Sequence, residues 1–237
     1  MILSAAGTKV LVATGKGTKT REPGTHTEIL DLEDPSFHCE VGQYPTETFA
    51  ANGAMIGQKP FVCGGSSSDG WGEIKSCYTL QENGEWTEDP VAILGHAGRS
   101  HAAVGNVVLH NELVIAGGKS HDKKIEMTSV NTAPRILDVE MPIGRGWSCA
   151  VRWDADTIFI IGGYNTLKDT YFVNISDNTI KEGPELPQGR QYHSCNEIKV
   201  NGEQYIVVTG GHPHDNLKST ILLSKSNFEN GWQKSKH

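Results

Sequence analysis

Thr157-Ile158-Phe159-Ile160-Ile161-Gly162-Gly163 is a short apolar run that ends on two glycines. The same shape recurs at Leu113-Val114-Ile115-Ala116-Gly117-Gly118, at Pro60-Phe61-Val62-Cys63-Gly64-Gly65 and at Tyr205-Ile206-Val207-Val208-Thr209-Gly210-Gly211. A worn copy stands at Val10-Leu11-Val12-Ala13-Thr14-Gly15. The doublets begin at 64, 117, 162 and 210, with the worn copy at 14, so successive spacings are 50, 53, 45 and 48 residues. A period in this range marks an array of supersecondary units, none of which buries its apolar faces alone. Other positions keep phase. Trp86 lies 21 residues after Gly65 and Trp232 lies 21 after Gly211; Phe37 lies 22 after Gly15. Gly98-Arg99, Gly144-Arg145 and Gly189-Arg190 each precede a doublet. Runs of four to six β-branched and aromatic residues bounded by Gly, Asn and Asp predict strands, and no stretch keeps a 3.6-residue period, so almost no helix is expected.

This pattern resembles the kelch repeat along the whole chain. That family's unit reads as Arg, a strand, a turn, a second strand ending in Gly-Gly, a third strand with an aromatic, a turn, and a fourth strand with Trp. In the fourth copy Arg145 leads into Ser148-Cys149-Ala150-Val151, and Ile180 takes the place of the Trp. The first copy departs most, with Thr14-Gly15 for Gly-Gly and no Arg turn. The resemblance implies an all-β, kelch-type β-propeller. The count predicts five four-stranded antiparallel blades in a single domain, 1–237, each blade from one continuous segment: about 1–45, 46–95, 96–141, 142–189 and 190–237. A complete five-bladed ring is the preferred reading; the loss of an upstream blade is the other.

Composition bounds the function. The net charge of −7 and pI near 5.8 argue against a phosphate-backbone partner, which calls for a basic face. Mean hydropathy is −0.38, and no stretch approaches the roughly 18 to 20 apolar residues of a membrane span. The start, Met1-Ile2-Leu3-Ser4, lacks the features of a secretory signal. Five cysteines, an odd number, fit a reducing compartment, and the expectation is a cytoplasmic protein, with secretion as the alternative.

Several residues are candidates for a site at the axial mouth. Arg99, Arg145 and Arg190 precede first strands, and a ring of guanidinium forks suits carboxylates. The plainer reading is that they bond to backbone carbonyls of the next blade. His101, Trp147, Tyr192 and His193, with Phe49, add aromatic and imidazole groups at the same end, and Glu47 stands where other copies have Arg. Convergent aromatics with a few polar groups are typical of pockets, although His and Ser at this position also match the repeat's habit. His212-Pro213-His214-Asp215 reads as a solvated loop. In a hairpin Cys63 and Cys77 would face each other, and a disulfide is open to them if their Cα atoms fall within about 7 Å; secreted kelch-like proteins look similar here, and two free thiols are the other reading. The sequon Asn174-Ile175-Ser176 falls at the end of a predicted strand.

The resemblance implies a rigid, non-catalytic scaffold that presents loops and the axial mouth to a protein partner. The loops are Ser66 to Gly72, Lys119 to Lys124, Asn165 to Asp169 and His212 to Leu217. A monomer with no cofactor, no bound metal and no nucleic-acid or membrane partner is expected. The alternatives are a kelch-type enzyme, either a metal-dependent oxidase or a sugar epimerase, and a glycan-binding propeller. An oxidase of that kind needs a cysteine, a tyrosine and two histidines, here Cys149, Tyr192, His101 and His193.

Overall fold

The computed structural model describes residues 2–4, 9–16, 23–34, 36–37, 41–67, 74–95, 107–118, 122–212 and 217–234. Five antiparallel sheets follow one another along the chain. The first holds β1 (Ile2–Ser4), β2 (Lys9–Lys16) and β3 (Pro23–Asp31). The second holds β4 (Asn52–Ile56), β5 (Lys59–Cys63), β6 (Cys77–Leu80) and β7 (Trp86–Asp89). The third holds β8 (Val108–Leu109), β9 (Glu112–Ala116), β10 (Ile125–Ser129) and β11 (Thr132–Ile136). The fourth holds β12 (Cys149–Arg152), β13 (Thr157–Ile161), β14 (Thr170–Asn174) and β15 (Thr179–Glu182). The fifth holds β16 (Ser194–Val200), β17 (Glu203–Thr209), β18 (Thr220–Ser224) and β19 (Gln233–Lys234). Each is a simple meander in chain order. The only helix among the described residues is a 3-10 turn at Phe228–Asn230.

The chain is therefore all-β, with antiparallel four-stranded sheets arranged as β-propeller blades. The expected count of five such blades is corrected to four, plus a three-stranded sheet at the start. Beyond β3 the first copy enters bends, and Phe37 lies under the Lys9 ammonium (4.3 Å to the ring centre) instead of opening a fourth described strand.

The chain groups into two compact units. One comprises 1–100, 111–115 and 126–136; the other comprises 101–110, 116–125 and 137–237. The first unit's core joins Leu11 to Tyr44, Val62, Tyr78 and Leu80. Tyr44 packs edge-on to Trp86 at 5.0 Å, and the Trp86 indole donates to Thr27 Oγ1 at 3.2 Å. In the second unit Phe159, Ile161, Ile206, Val208 and Leu223 form the core. Trp232 stacks toward Phe159, and its indole donates to the Pro184 carbonyl at 2.9 Å. Trp86 and Trp232 thus both reach back to the preceding sheet with apolar body and polar tip satisfied together. The run Thr157–Ile161 is buried along its whole length, which fits a middle strand covered on both faces.

Sheet follows sheet by a repeated backbone stitch. The N–H of Gly118 donates to the Arg145 carbonyl, and the N–H of Gly163 to the Arg190 carbonyl, both at 2.9 Å. In the first unit Gly15 N–H donates to the Thr48 carbonyl at 3.1 Å. The doublet's first glycine explains itself in the same contact. Gly162 sits at φ +56°, and a Cβ there would lie 2.5 Å from the Arg190 carbonyl oxygen. Thr14 holds the equivalent left-handed conformation at φ +61° despite its β-branch.

Candidate functional site

The stitch fixes what each arginine can do. Arg145 and Arg190 are both fully buried. Arg145 Nη1 donates to the Gly162 carbonyl at 3.0 Å, and its guanidinium lies 4.6 Å from the centre of the Tyr171 ring. Arg190 Nη1 donates to the Gly210 carbonyl at 2.9 Å and the Ser219 carbonyl at 3.2 Å. Its Nη2 donates to Ser219 Oγ at 2.9 Å. Burial lowers the pKa of both side chains, and Tyr171 and Asp169 work against that at Arg145. A receptor role for Arg145 and Arg190 is therefore corrected. Each turns its Nη1 onto main-chain oxygens, and those oxygens belong to its own blade, not the next one. Arg99 and His101 lie outside the described residues.

Glu47 is also reassigned. The backbone partner of Gly15 is Thr48, so Thr48 occupies the arginine slot in the second copy. Thr48 is buried, and its hydroxyl donates to the Ser66 carbonyl at 3.2 Å. Glu47, one residue earlier, points to solvent. Phe49 pairs main-chain to main-chain with Ser66.

One position after the pairing residue, the backbone turns left-handed in every described copy that has it. Ala50, Trp147 and Tyr192 all sit at φ +55°. In the second unit this brings two large rings together. Tyr192 N–H donates to the Trp147 carbonyl at 2.9 Å, and the rings stack at 5.0 Å with 28° between planes. Tyr164 meets Trp147 edge-on at 5.1 Å. The outer ring, Tyr192, is 59% exposed, and Tyr164 is 40% exposed. With Gln191, Gly211, His212 and Leu217 they line an open hollow of about 630 Å³. Neither an acid nor a Lys or Arg is among its described lining residues. Burial raises the Tyr192 pKa, so its phenol is a neutral donor and acceptor at physiological pH.

His193 does not join the hollow's wall. It is buried, with its ring against Gly162. Burial, with the Arg190 charge beside it, pushes its pKa down to about 4, against a weaker opposing effect of the Ile161 backbone. A neutral imidazole here fills space between sheets.

Cys63 and Cys77 are bonded to each other, Sγ–Sγ 2.02 Å, as directly opposed partners on β5 and β6. A second bridge joins Cys149 to Cys195 and so ties β12 to β16. The odd cysteine count concealed this second pair, because one leftover residue, Cys39, is compatible with two bridges. The sign of it was positional: both cysteines follow the left-handed residue of consecutive copies, by two and by three positions.

Tyr164, missed in sequence, is the residue directly after Gly162-Gly163. The loop Asn165 to Asp169 begins one residue too late to include it, and it is closed on itself by Asp169 N–H to the Thr166 carbonyl (2.9 Å). Pro213, His214 and Asp215 lie outside the described residues, as do parts of the loops Ser66 to Gly72 and Lys119 to Lys124. Among the described residues no helix is long and apolar enough to cross a membrane. No protein-family model matches the chain, and no curated protein matches it.

Proposed function

We propose that the chain is a non-catalytic binding module: a kelch-type propeller built from five repeat units, presenting the Trp147–Tyr164–Tyr192 face to a protein partner. The observation that carries the reading is the exposure of Tyr192 on a braced backbone. A residue other than glycine at positive φ costs about 1 kcal/mol or more, and here the strained position displays a large ring instead of burying it. Its stack on Trp147 holds the ring in place before any ligand arrives, which reduces the ordering cost of binding. Aromatic anchors of this kind dominate protein interfaces.

The bond from Cys149 to Cys195 weighs against the metal-dependent oxidase form of the enzyme alternative. A glycan-binding reading keeps one observation in its favour: an open tyrosine face with no acid, Lys or Arg among its described lining residues suits the C–H face of a sugar. The two bridges support an oxidising compartment, in place of the cytoplasmic setting expected from the cysteine count.

The test places a photoreactive tyrosine analogue at position 192 and identifies cross-linked species. Cross-links to one protein, with affinity reduced at least ~10-fold by Tyr192→Ala, are expected, since a hot-spot aromatic contributes about 2 kcal/mol. A partner held equally well by the Tyr164→Ala/Tyr192→Ala variant sinks the assignment. Tyr192-dependent binding to arrayed neutral glycans moves it to the second reading.

A further inference from the structure

We propose that Asn174 is an N-glycosylation site whose first sugar seats in an aromatic hollow beside it. The proposal rests on the oxidising-compartment reading, since oligosaccharide transfer belongs to the secretory route. Asn174-Ile175-Ser176 is an acceptor sequence with no proline at its centre. In sequence it reads only as a strand end. The structure adds three observations.

The first is the conformation of the acceptor. Asn174 is the last residue of β14, and its Oδ1 accepts the N–H groups of Ser176 at 3.0 Å and Asp177 at 2.8 Å. That turn fixes the carboxamide through its oxygen and leaves the nitrogen outside the turn's own hydrogen bonds. Nδ2 donates one proton to Thr157 Oγ1 over a long 3.4 Å. An amide nitrogen carries two protons, so a sugar can replace one while Thr157 keeps the other.

The second is what lies next to Asn174. A hollow of about 320 Å³ opens there, and Asn174 is itself part of its wall. Trp153, Phe172 and Phe228 supply half-buried aromatic faces, and Asp154 and Asp177 lie on the rim. Phe172 stands two residues before Asn174 and so shares its face of the strand. The rings are mutually braced: Trp153 meets Phe172 at 4.7 Å and Phe228 at 5.6 Å. An N-acetylhexosamine has an apolar C–H face and hydroxyl and acetamido edges, which suits an aromatic floor with a polar rim.

The third is a clear exit. Ser176, Asp177 and Asn178 are all exposed, so a longer oligosaccharide leaves the surface without a clash.

The chemistry is a substitution at the sugar's anomeric carbon. Nδ2 displaces the lipid pyrophosphate that carries the oligosaccharide. The N–C1 bond forms, the C1–O bond breaks, and the amide gives up one proton to the departing pyrophosphate. No group is oxidised or reduced.

The test uses the natural protein, purified from its source and digested without reduction. Peptide N-glycosidase in heavy-oxygen water marks each glycosylated Asn as a labelled Asp. Bridged Cys63–Cys77 and Cys149–Cys195 together with a labelled position 174 are expected. Bridged cysteines with unmodified Asn174 overturn this inference and leave the compartment reading standing. Free thiols with unmodified Asn174 overturn both. Seating of the sugar is read from Trp153 emission. Trimming the glycan to its first sugar leaves the emission unchanged, and complete removal shifts it to the red. The shift vanishes in Trp153→Phe. Unchanged emission after complete removal overturns the seating.

Discussion

At the scale of residues, Gly162 and His193 show how tightly the junction between consecutive sheets is built. The Cβ of an alanine at 162 would press on the Arg190 carbonyl at 2.5 Å and hold φ at +56°. Relieving the contact moves the oxygen that Gly163 N–H uses. Gly162→Ala is expected to lower the unfolding free energy by about 3 kcal/mol, combining left-handed strain with overpacking. Urea denaturation with an unchanged m-value would show it. His193 gives the junction a pH dependence. Its native pKa of about 4 lies below the ordinary 6.5, so between those values the unfolded chain binds a proton that the native chain does not. Stability is full above about pH 6.5 and falls as pH drops toward 4, by up to about 3 kcal/mol. His193→Gln should flatten that limb in melts taken across the window; an unchanged slope would assign it to other groups.

Among elements, the two disulfides act on different things. Cys63–Cys77 closes a hairpin whose strands are already paired, over a separation of 14 residues. Cys149–Cys195 spans 46 residues and joins first strands of two sheets. On loop-entropy grounds the first contributes about 3 kcal/mol and the second about 4 kcal/mol. The Cys149→Ser/Cys195→Ser variant should therefore be the less stable of the two paired-serine variants in guanidinium titration. The reverse order would mean that residual structure or native strain, not chain entropy, sets their contributions. Element existence was legible beforehand because short runs rich in β-branched residues, stopped by glycine, read as strands that end at a left-handed turn. That the first sheet has three strands among the described residues was not legible: Phe37 keeps the phase of the repeat, and phase alone does not supply hydrogen-bonding partners.

On the scale of the whole molecule, the repeat was readable and the site was not. Repetition makes structural residues conspicuous, which is why Arg145 and Arg190 drew attention and proved to be main-chain braces. A site arises where copies differ, and Ala50, Trp147 and Tyr192 differ at one shared backbone position. The sequence shows the difference in side chain; it does not show the positive φ that brings Trp147 and Tyr192 into a stack. Glu47 failed for a related reason, since an offset of one residue separates it from the true slot at Thr48. The charge balance bears on recognition as well. Despite a net charge of −7, the described lining of the hollow has no acid, Lys or Arg. Raising ionic strength to about 1 M should leave Tyr192-dependent affinity almost unchanged, where a charge-steered interface would weaken steeply. Titration calorimetry at two salt concentrations decides between them.

The glycine-to-arginine stitch has an evolutionary corollary. Each repeat that carries it offers a donor N–H at its own doublet and an acceptor carbonyl at its own leading residue. Neither half depends on which copy stands next to it, and Thr48 shows that the acceptor works without an arginine side chain. Unequal recombination that inserts or removes one whole unit therefore rejoins compatible ends. Copy number can drift in such a lineage without any new junction having to be invented.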